Sequence, residues 1–433
     1  MVPRGVLVGG GLLLVLGVGL GAAAGPGYPT DSAHYKYWTR LVTLEGIHRA
    51  YRGTWPETYA IYPPVHLYYY RLVGEIYRQA ADPTFELGRA LGSPLLTFLL
   101  KVPAVLAHAA AAGMVYLVAR PHLGFGRALL AAAGYGLNPA LVFTVSRWGQ
   151  PDSVHTLFLL AGLGLLGAGR VIPAWAALGL AAMSKPQAWV LLPLAAWASL
   201  RWFGPGPALR GLGVGAAVGL GLGLPFILGG TVGELLTLPV QTASVMPVVS
   251  ANAHNLWWLL TLGRGLTIPD SAAVVGPISY RAVGLGLTIA ALAAGLWRVG
   301  DRPDRPGLWL LAAYSGFSFF MLAPQVHENH LFFVPALLAP VFPAGGRVGA
   351  AFGLVSFTYL VNLVAEDPTL GLLAEPVRSA LGLVNAGLNL GAFLYLGWLA
   401  LGVGRRLKLQ VGGDSLHRLK AEADELGQGN AQV

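Results

Sequence analysis

One carboxylate, two lysines and a histidine-rich corner are the residues of this chain best suited to move a proton or hold an anion. Asp31 stands in GPGYPTDSAHYKYWTR (Gly25–Arg40), a few residues beyond an apolar span. A carboxylate so placed can act as a general base if it comes within hydrogen-bond reach of the hydroxyl it activates. The same residue can instead cap a helix that opens at SAHYKYWTRLV. Lys185 lies in SKPQ, where Pro186 and Gln187 break the helix beside it. A lysine at a helix end can snorkel to the interface; it can also meet an anionic ligand such as a lipid-linked phosphate. Lys101 lies well inside an apolar span, where a charge costs at least ~2.5–3.5 kcal/mol on insertion scales. It is therefore expected to face a cavity or a phosphate.

Other polar clusters stand in otherwise apolar surroundings. NPALVFTVSRWGQPD (Asn138–Asp152) ends in a compact corner of Arg147, Trp148, Gly149, Gln150 and Asp152. Read as a mere turn, it pairs Arg147 with Asp152. VHENH (Val326–His330) carries His327, Glu328 and His330. Its histidines are three apart, not four as in HExxH, so a zincin helix is absent. Hydrogen bonding to a phosphate or a sugar suits the cluster better. Tyr62-Pro63-Pro64 and Tyr68–Tyr70 form a stiff aromatic segment, readable as an interface belt or as a sugar-stacking surface or lid. SANAHNLW (Ser250–Trp257) contributes Asn252, and His34, His48, His66, His254 and Asp270 add polar groups that solvation alone could explain.

The elements that must position these residues are membrane helices. Of the 433 residues, 55% are apolar and only 11% charged, where a soluble domain has about 25% charged. Apolar runs of spanning length recur along the chain. The 60 glycines suit close helix approach in lipid. With no cysteine, disulfides and thiolate metal sites are excluded. The net charge of +9 comes from residues flanking spans, so it does not call for a nucleic-acid partner.

The expected fold is all-α: a polytopic membrane helix bundle of about twelve transmembrane helices. Spans are placed at 6–24, 94–119, up to 145, 154–169, 173–183, up to 200, up to 229, 282–297, up to 323, two flanking Arg347, and 379–403. The first ends in AAAG, as a cleaved signal peptide could, but its length and the loop behind it favour an anchor that stays attached. A largely helical first outside loop covers 25–92, and a second long outside loop covers 230–280, with an interfacial or re-entrant helix at Val249–Leu260. A transmembrane catalytic domain thus spans 1–403, and 404–433 forms a cytoplasmic tail. With the N-terminus inside, Arg4, Arg120, Arg127, Arg170, Arg201, Arg210, Arg298, Arg302, Arg305, Arg347, Arg405, Arg406 and Lys408 all fall on the cytoplasmic side, as the positive-inside rule requires. The polar motifs then share the outside face, which suggests one outward-facing cavity.

These motifs together resemble the GT-C superfamily, integral membrane glycosyltransferases that take a sugar from a polyprenyl-phosphate donor. The resemblance covers nearly the whole chain and rests on Asp31 in the first loop, Asn138–Asp152, Lys185–Gln187, Ser250–Trp257 and Val326–His330. It is nearest to the bacterial mannosyltransferase-like branch and the eukaryotic dolichyl-phosphate-glucose transferases. The first loop has one clear acid rather than an adjacent acidic pair, which points away from the metal-dependent oligosaccharyltransferase branch.

The resemblance implies transfer of a single hexose or pentose, with inversion, to a hydroxyl of a glycan, glycolipid or protein at the outer face of the cell membrane. Asp31 would be the base. Lys185 and His327, supported by His330 or Lys101, would hold the departing lipid phosphate, whose growing charge fixed cations stabilise. Trp148, Gln150, Asp152, Gln187 and Glu328 would shape the donor site, and His34, Tyr62 and Asn252 the loop and acceptor side. The scheme requires no metal or other cofactor. A transporter or flippase of a lipid-linked saccharide is the alternative; it should show internal repeats with matching broken helices, and no such repeat is visible.

Overall fold

The computed structural model describes residues 3–301 and 304–402. Arg302, Arg405, Arg406, Lys408 and the expected tail at 404–433 lie outside the described residues.

The chain opens with an apolar helix, α1 (Arg4–Ala23). Gly27, at φ +80°, then turns the chain back; a Cβ there would lie 2.6 Å from Ser32 Oγ, so only glycine fits. The first loop is helical, as expected: α2 (Pro29–Leu44), α3 (Pro64–Ala80) and the short α4 (Leu87–Gly92). α2 and α3 start on prolines, whose fixed φ suits a first helical turn. The N-cap position of α2 is Tyr28, so Asp31 sits inside the first turn and is not the cap. Its carboxyl is directed elsewhere.

α5 (Pro94–Gly136) runs for 43 residues but breaks at Gly124, whose φ of 75° and ψ of 178° are not helical. Its two halves fold against each other. His108 bonds through one ring nitrogen to Tyr135 Oη (3.2 Å) and through the other to Gly136 O (3.0 Å). Asn138 caps the short α6 (Pro139–Val142) by accepting from Ala140 N. A π-helical turn at Phe143–Trp148 follows and ends on Gly149 in the left-handed region.

The rest of the bundle comprises α7 (Asp152–Gly167), α8 (Val171–Ala182), α9 (Leu192–Phe203), α10 (Pro205–Leu228), α11 (Val232–Val245), α12 (Leu256–Leu260), α13 (Tyr280–Trp297), α14 (Arg305–Leu322), α15 (Phe333–Leu338), α16 (Gly346–Glu366) and α17 (Glu375–Gly402). A small antiparallel hairpin, β1 (Ala273–Val275) with β2 (Ile278–Ser279), precedes α13. The second loop is more structured than expected: it also holds α11, and its short expected helix reduces to α12.

Among the described residues, six helices, α1, α5, α10, α13, α16 and α17, are long and apolar enough to cross a membrane, and α7 and α8 are shorter apolar helices. Leu13, Leu117, Leu220, Ile289 and Leu394 are exposed, as helix faces turned to lipid are. α14 and α15 are almost wholly buried at the centre. α8 crosses α10 closely: a Cβ on Gly179 would lie 2.8 Å from Gly215 O, the approach that small residues permit.

Several arginines lie at one end of these helices. Arg4 lies 5.4 Å from the Phe125 ring, Arg305 donates to Gly167 O (2.8 Å), Arg347 lies 5.6 Å from the Trp398 ring, and Arg201 pairs with Asp301. The opposite ends of the same helices carry the polar motifs.

Candidate active site

The site begins where α2 is stitched to the turn before α7. Tyr28 N donates to Trp148 O at 3.0 Å, which fixes the start of α2 over the Trp148–Gly149–Gln150 corner. Gln150 Nε2 then donates to Asp31 Oδ2 at 2.6 Å. The other end of the amide, Gln150 Oε1, accepts from Tyr35 Oη at 2.8 Å and from Tyr62 Oη at 3.4 Å. Burial pushes the Asp31 carboxyl up to about 6; Lys185 and the Gln150 bond oppose this, and the Asp152 charge adds to it. At neutral pH Asp31 is still mostly ionised and close to the value that suits a general base.

Beneath this pair lies a second one. Lys185 Nζ donates to Asp152 Oδ1 at 2.9 Å, and both side chains are 1% exposed. Asn329 Nδ2 reaches the other oxygen, Asp152 Oδ2, at 3.3 Å. The ammonium also lies 5.0 Å from the Tyr62 ring centre. Three remote motifs, the WGQPD corner, SKPQ and VHENH, therefore meet on Asp152. The expected Arg147–Asp152 pairing does not form: Arg147 Nη2 donates to Thr369 Oγ1 at 2.9 Å instead. Lys185, expected on a phosphate, has Asp152 as its partner and is sealed from solvent.

The VHENH corner is held by backbone pairing with the SANAHN segment. Ala251 N donates to Val326 O (2.9 Å) and Gln325 N to Val248 O (3.1 Å), which sets Asn252 against His327. Burial, then the Lys185 charge, lowers His327 to about 4. Burial likewise holds His330 well below the usual histidine range, and its Nδ1 accepts from His327 N at 3.2 Å. Both imidazoles are neutral at pH 7, so they offer hydrogen bonds rather than the expected positive charge. Burial raises Glu328 to about 8, with the Asp31 and Glu366 charges adding to it; its Oε2 is buried without a partner.

Other expected site residues have different surroundings. Trp148 is 1% exposed, edge-on to Tyr28 with ring centres 4.9 Å apart; it braces the corner and cannot stack on a sugar. Lys101 donates to the carbonyls of Gly25 (2.7 Å), Ala23 (3.3 Å) and Arg147 (3.5 Å), tying the end of α1 to the same corner. It also lines a small cleft with Ser32, Tyr35, Thr97, Leu100 and Gly149. Gln187 is buried with Oε1 unpartnered. His34 stacks on Trp38 and meets Trp55 edge-on, outside the hydrogen-bonded chain.

Sequence reasoning missed Tyr35, Tyr28 and His155. Tyr35 could have been found, since it lies four residues after Asp31 on the same helix face. Tyr28 sits among carboxyls: burial pushes its hydroxyl up to about 12, and the charges of Glu328, Asp31, Asp367 and Glu366 contribute. His155 is fully buried with both ring nitrogens unpartnered, and nothing in its sequence neighbourhood marks it. Among the described residues, no three or more His, Asp or Glu converge to hold a metal ion.

No family model matches the chain, and neither does any curated protein. Similar helix arrangements occur among solved structures. ArnT from Cupriavidus metallidurans bound to undecaprenyl phosphate is 18% identical, with 92% of this chain and 77% of that one covered and a TM-score of 0.47. AglB, an archaeal oligosaccharyltransferase from Archaeoglobus fulgidus, in complex with an inhibitory peptide and a dolichol-phosphate, is 14% identical, with 91% of this chain and 56% of that one covered and a TM-score of 0.41. Both fall below one half on that scale, so the chemistry assigned to this chain rests on its own residues.

Proposed function

We propose that this protein is an integral membrane glycosyltransferase of the GT-C type that moves a single hexose or pentose from a polyprenyl-phosphate donor to an acceptor hydroxyl, with inversion. One observation carries the reading: Gln150 joins Asp31 to a corner whose Asp152 holds Lys185 and Asn329. A near-neutral carboxylate with a buried positive charge behind it, on helices built for lipid, suits deprotonation of a hydroxyl beside an anionic lipid headgroup.

In this scheme Asp31 takes the acceptor proton as the hydroxyl attacks the anomeric carbon. The bond to the lipid phosphate breaks on the opposite face, and charge grows on that phosphate. Lys185 acts through its field rather than by contact, because Asp152 and Tyr62 cover it. His327 and His330 donate hydrogen bonds as neutral rings, and Glu328 donates one while protonated.

We also propose twelve membrane crossings, with both termini cytoplasmic and the site at the outer face. In this proposal α1, α7, α8, α9, α10, α13, α14, α16 and α17 would be nine of the crossings, the two halves of α5 two more, and the run through α15 the twelfth. The arginines at the ends remote from Asp31 support that direction. Among donors, the mannosyl type is the first choice.

The test is direct. Purified protein is given polyprenyl-phosphate-mannose, -glucose and -arabinose, each with lipid-linked glycan, glycolipid or peptide acceptors, and the products are identified with their anomeric configuration. Consumption of one donor, with inversion, is the expected result. Movement of intact lipid-linked saccharide across vesicles without bond cleavage would instead make the protein a flippase.

A further inference from the structure

A phosphate leaving a sugar needs a positive partner, and most cations of this site are already engaged. Lys185 is bonded to Asp152 and sealed from solvent. His327 and His330 are neutral rings. Lys101 has three carbonyl oxygens within reach of its ammonium. One charged group at the corner retains a free arm. Arg147 donates to Thr369 Oγ1 through Nη2 at 2.9 Å, while its Nη1 is buried with no partner.

The surroundings of Arg147 suit an anion. Among the described residues, no carboxylate lies within ion-pair distance of Arg147 or Lys101. Two positive groups thus stand together without a direct ion pair, on a corner that also carries the Asp31 partner, Gln150; the Asp367 carboxylate is reached only through the Thr369 hydroxyl. Thr369 does not supply the counter-charge: its hydroxyl donates to Asp367 Oδ1 at 2.6 Å and offers Arg147 only a lone pair. That contact aims the guanidinium and leaves its second arm, the buried Nη1, without a hydrogen-bond partner. The fork of an arginine matches phosphate oxygens better than a lysine does.

We infer that Arg147 binds the phosphate of the lipid-linked donor through its free Nη1 arm, with Thr369 as the residue that aims it. The inference rests on the functional reading above and names the group that contacts the anion. It makes Lys101 a staple for the corner rather than a ligand. It also gives α16–α17 a function, since the turn carrying Asp367 and Thr369 joins them.

The experiment compares wild type with Arg147→Ala, Arg147→Met and Thr369→Val as full-length purified protein in detergent. Binding of sugar-free polyprenyl phosphate is titrated, with polyprenol as the phosphate-free control, and donor KM is measured separately from acceptor KM. Arg147→Met keeps the apolar stem in place should the alanine variant fail to fold. The expected result is a loss of about tenfold or more in polyprenyl phosphate affinity and donor KM for either Arg147 variant. Polyprenol binding and acceptor KM stay unchanged. Thr369→Val should lose a few-fold on the same two measures, and millimolar guanidinium should restore part of the affinity of Arg147→Ala, which a purely structural brace would not allow. Phosphate-lipid affinity within about twofold of wild type in any folded variant lacking the guanidinium overturns the inference. If wild type itself neither binds polyprenyl phosphate nor consumes a donor, the functional reading fails instead.

Discussion

Gln150 donates to Asp31 at 2.6 Å and accepts from Tyr35 at 2.8 Å, so one amide fixes the base from a residue 119 positions away in sequence. Because its oxygen is occupied by phenol hydroxyls, the amide cannot flip without facing oxygen to oxygen on the carboxylate side. Gln150→Glu should therefore place a second carboxylate against Asp31. Like charges at that distance raise one of the two groups, and kcat at pH 7 should fall by about tenfold or more, with partial recovery above pH 8. Equal kcat in the variant and wild type would detach Gln150 from the base.

Asp31→Asn should abolish transfer, by about 10²–10⁴-fold in kcat, the usual contribution of a general base. The amide keeps a bond to Gln150, so the fold and donor binding should persist. Near-normal turnover in purified protein would remove Asp31 from the mechanism.

The pH dependence follows from the same carboxyl. Asp31 titrates at about 6 and is active when ionised, so kcat/KM should fall as pH drops through about 6. Stability runs the other way. Asp31 and Glu328 are both raised above their unfolded values, to about 6 and about 8. The folded state therefore binds protons more tightly there, and this contribution is full at low pH and is lost as pH rises through those values. Asp31→Asn and Glu328→Gln should raise the Tm of detergent-solubilised protein more at pH 9 than at pH 5. The reverse order of Tm gains would show that burial does not raise these carboxyls.

Removing Lys185 alone should be costly. Lys185→Met leaves Asp152 buried at 1% exposure without its partner, a change worth about 3–5 kcal/mol. The double variant Lys185→Met with Asp152→Asn should recover most of that stability yet stay impaired in transfer, because the positive field behind Asp31 is gone. Chemical denaturation and turnover on the same preparations separate the two effects. If the double variant were fully active, the pair would serve folding only.

Much of this arrangement was readable because polar residues stand out in lipid-suited sequence. Asp31 closely follows an apolar run, Gln150, Asp152, Lys185 and the VHENH corner each stand between apolar runs, and Asp31, Gln150, Asp152, Lys185 and Asn329 share the site's hydrogen bonds. What the sequence could not display was who pairs with whom. The choice of Asp152 for Lys185 over Arg147 depends on the left-handed turn at Gly149 and on α8 ending beside α7. The reach of Arg147 to Thr369 spans 222 positions. The neutrality of His327 comes from burial, which no local pattern encodes. The break in α5 was legible as two spans, since Gly124 lies between two apolar runs.

The last prediction concerns residues behind the site. Asn362 accepts from His254 N through Oδ1 and donates to Asn252 O through Nδ2, each at 2.9 Å. His254 is further fixed by Glu366 (3.1 Å) and Asn385 (3.0 Å). Because Asn385 donates to His254 Nδ1, the ring proton lies on Nε2 toward Glu366. This brace holds Asn252 at φ +60°, a left-handed conformation that asparagine and glycine tolerate and β-branched residues do not. Since Asn252 lies against His327, its backbone shape sets where that ring stands. Asn252→Gly should keep turnover near wild type, whereas Asn252→Val should lose about 1–3 kcal/mol of stability and about tenfold in kcat. The pair of variants separates backbone shape from side-chain contact, because neither retains the amide. Should glycine fail as badly as valine, the asparagine side chain itself would be the needed group, and the placement of His327 would not depend on this turn.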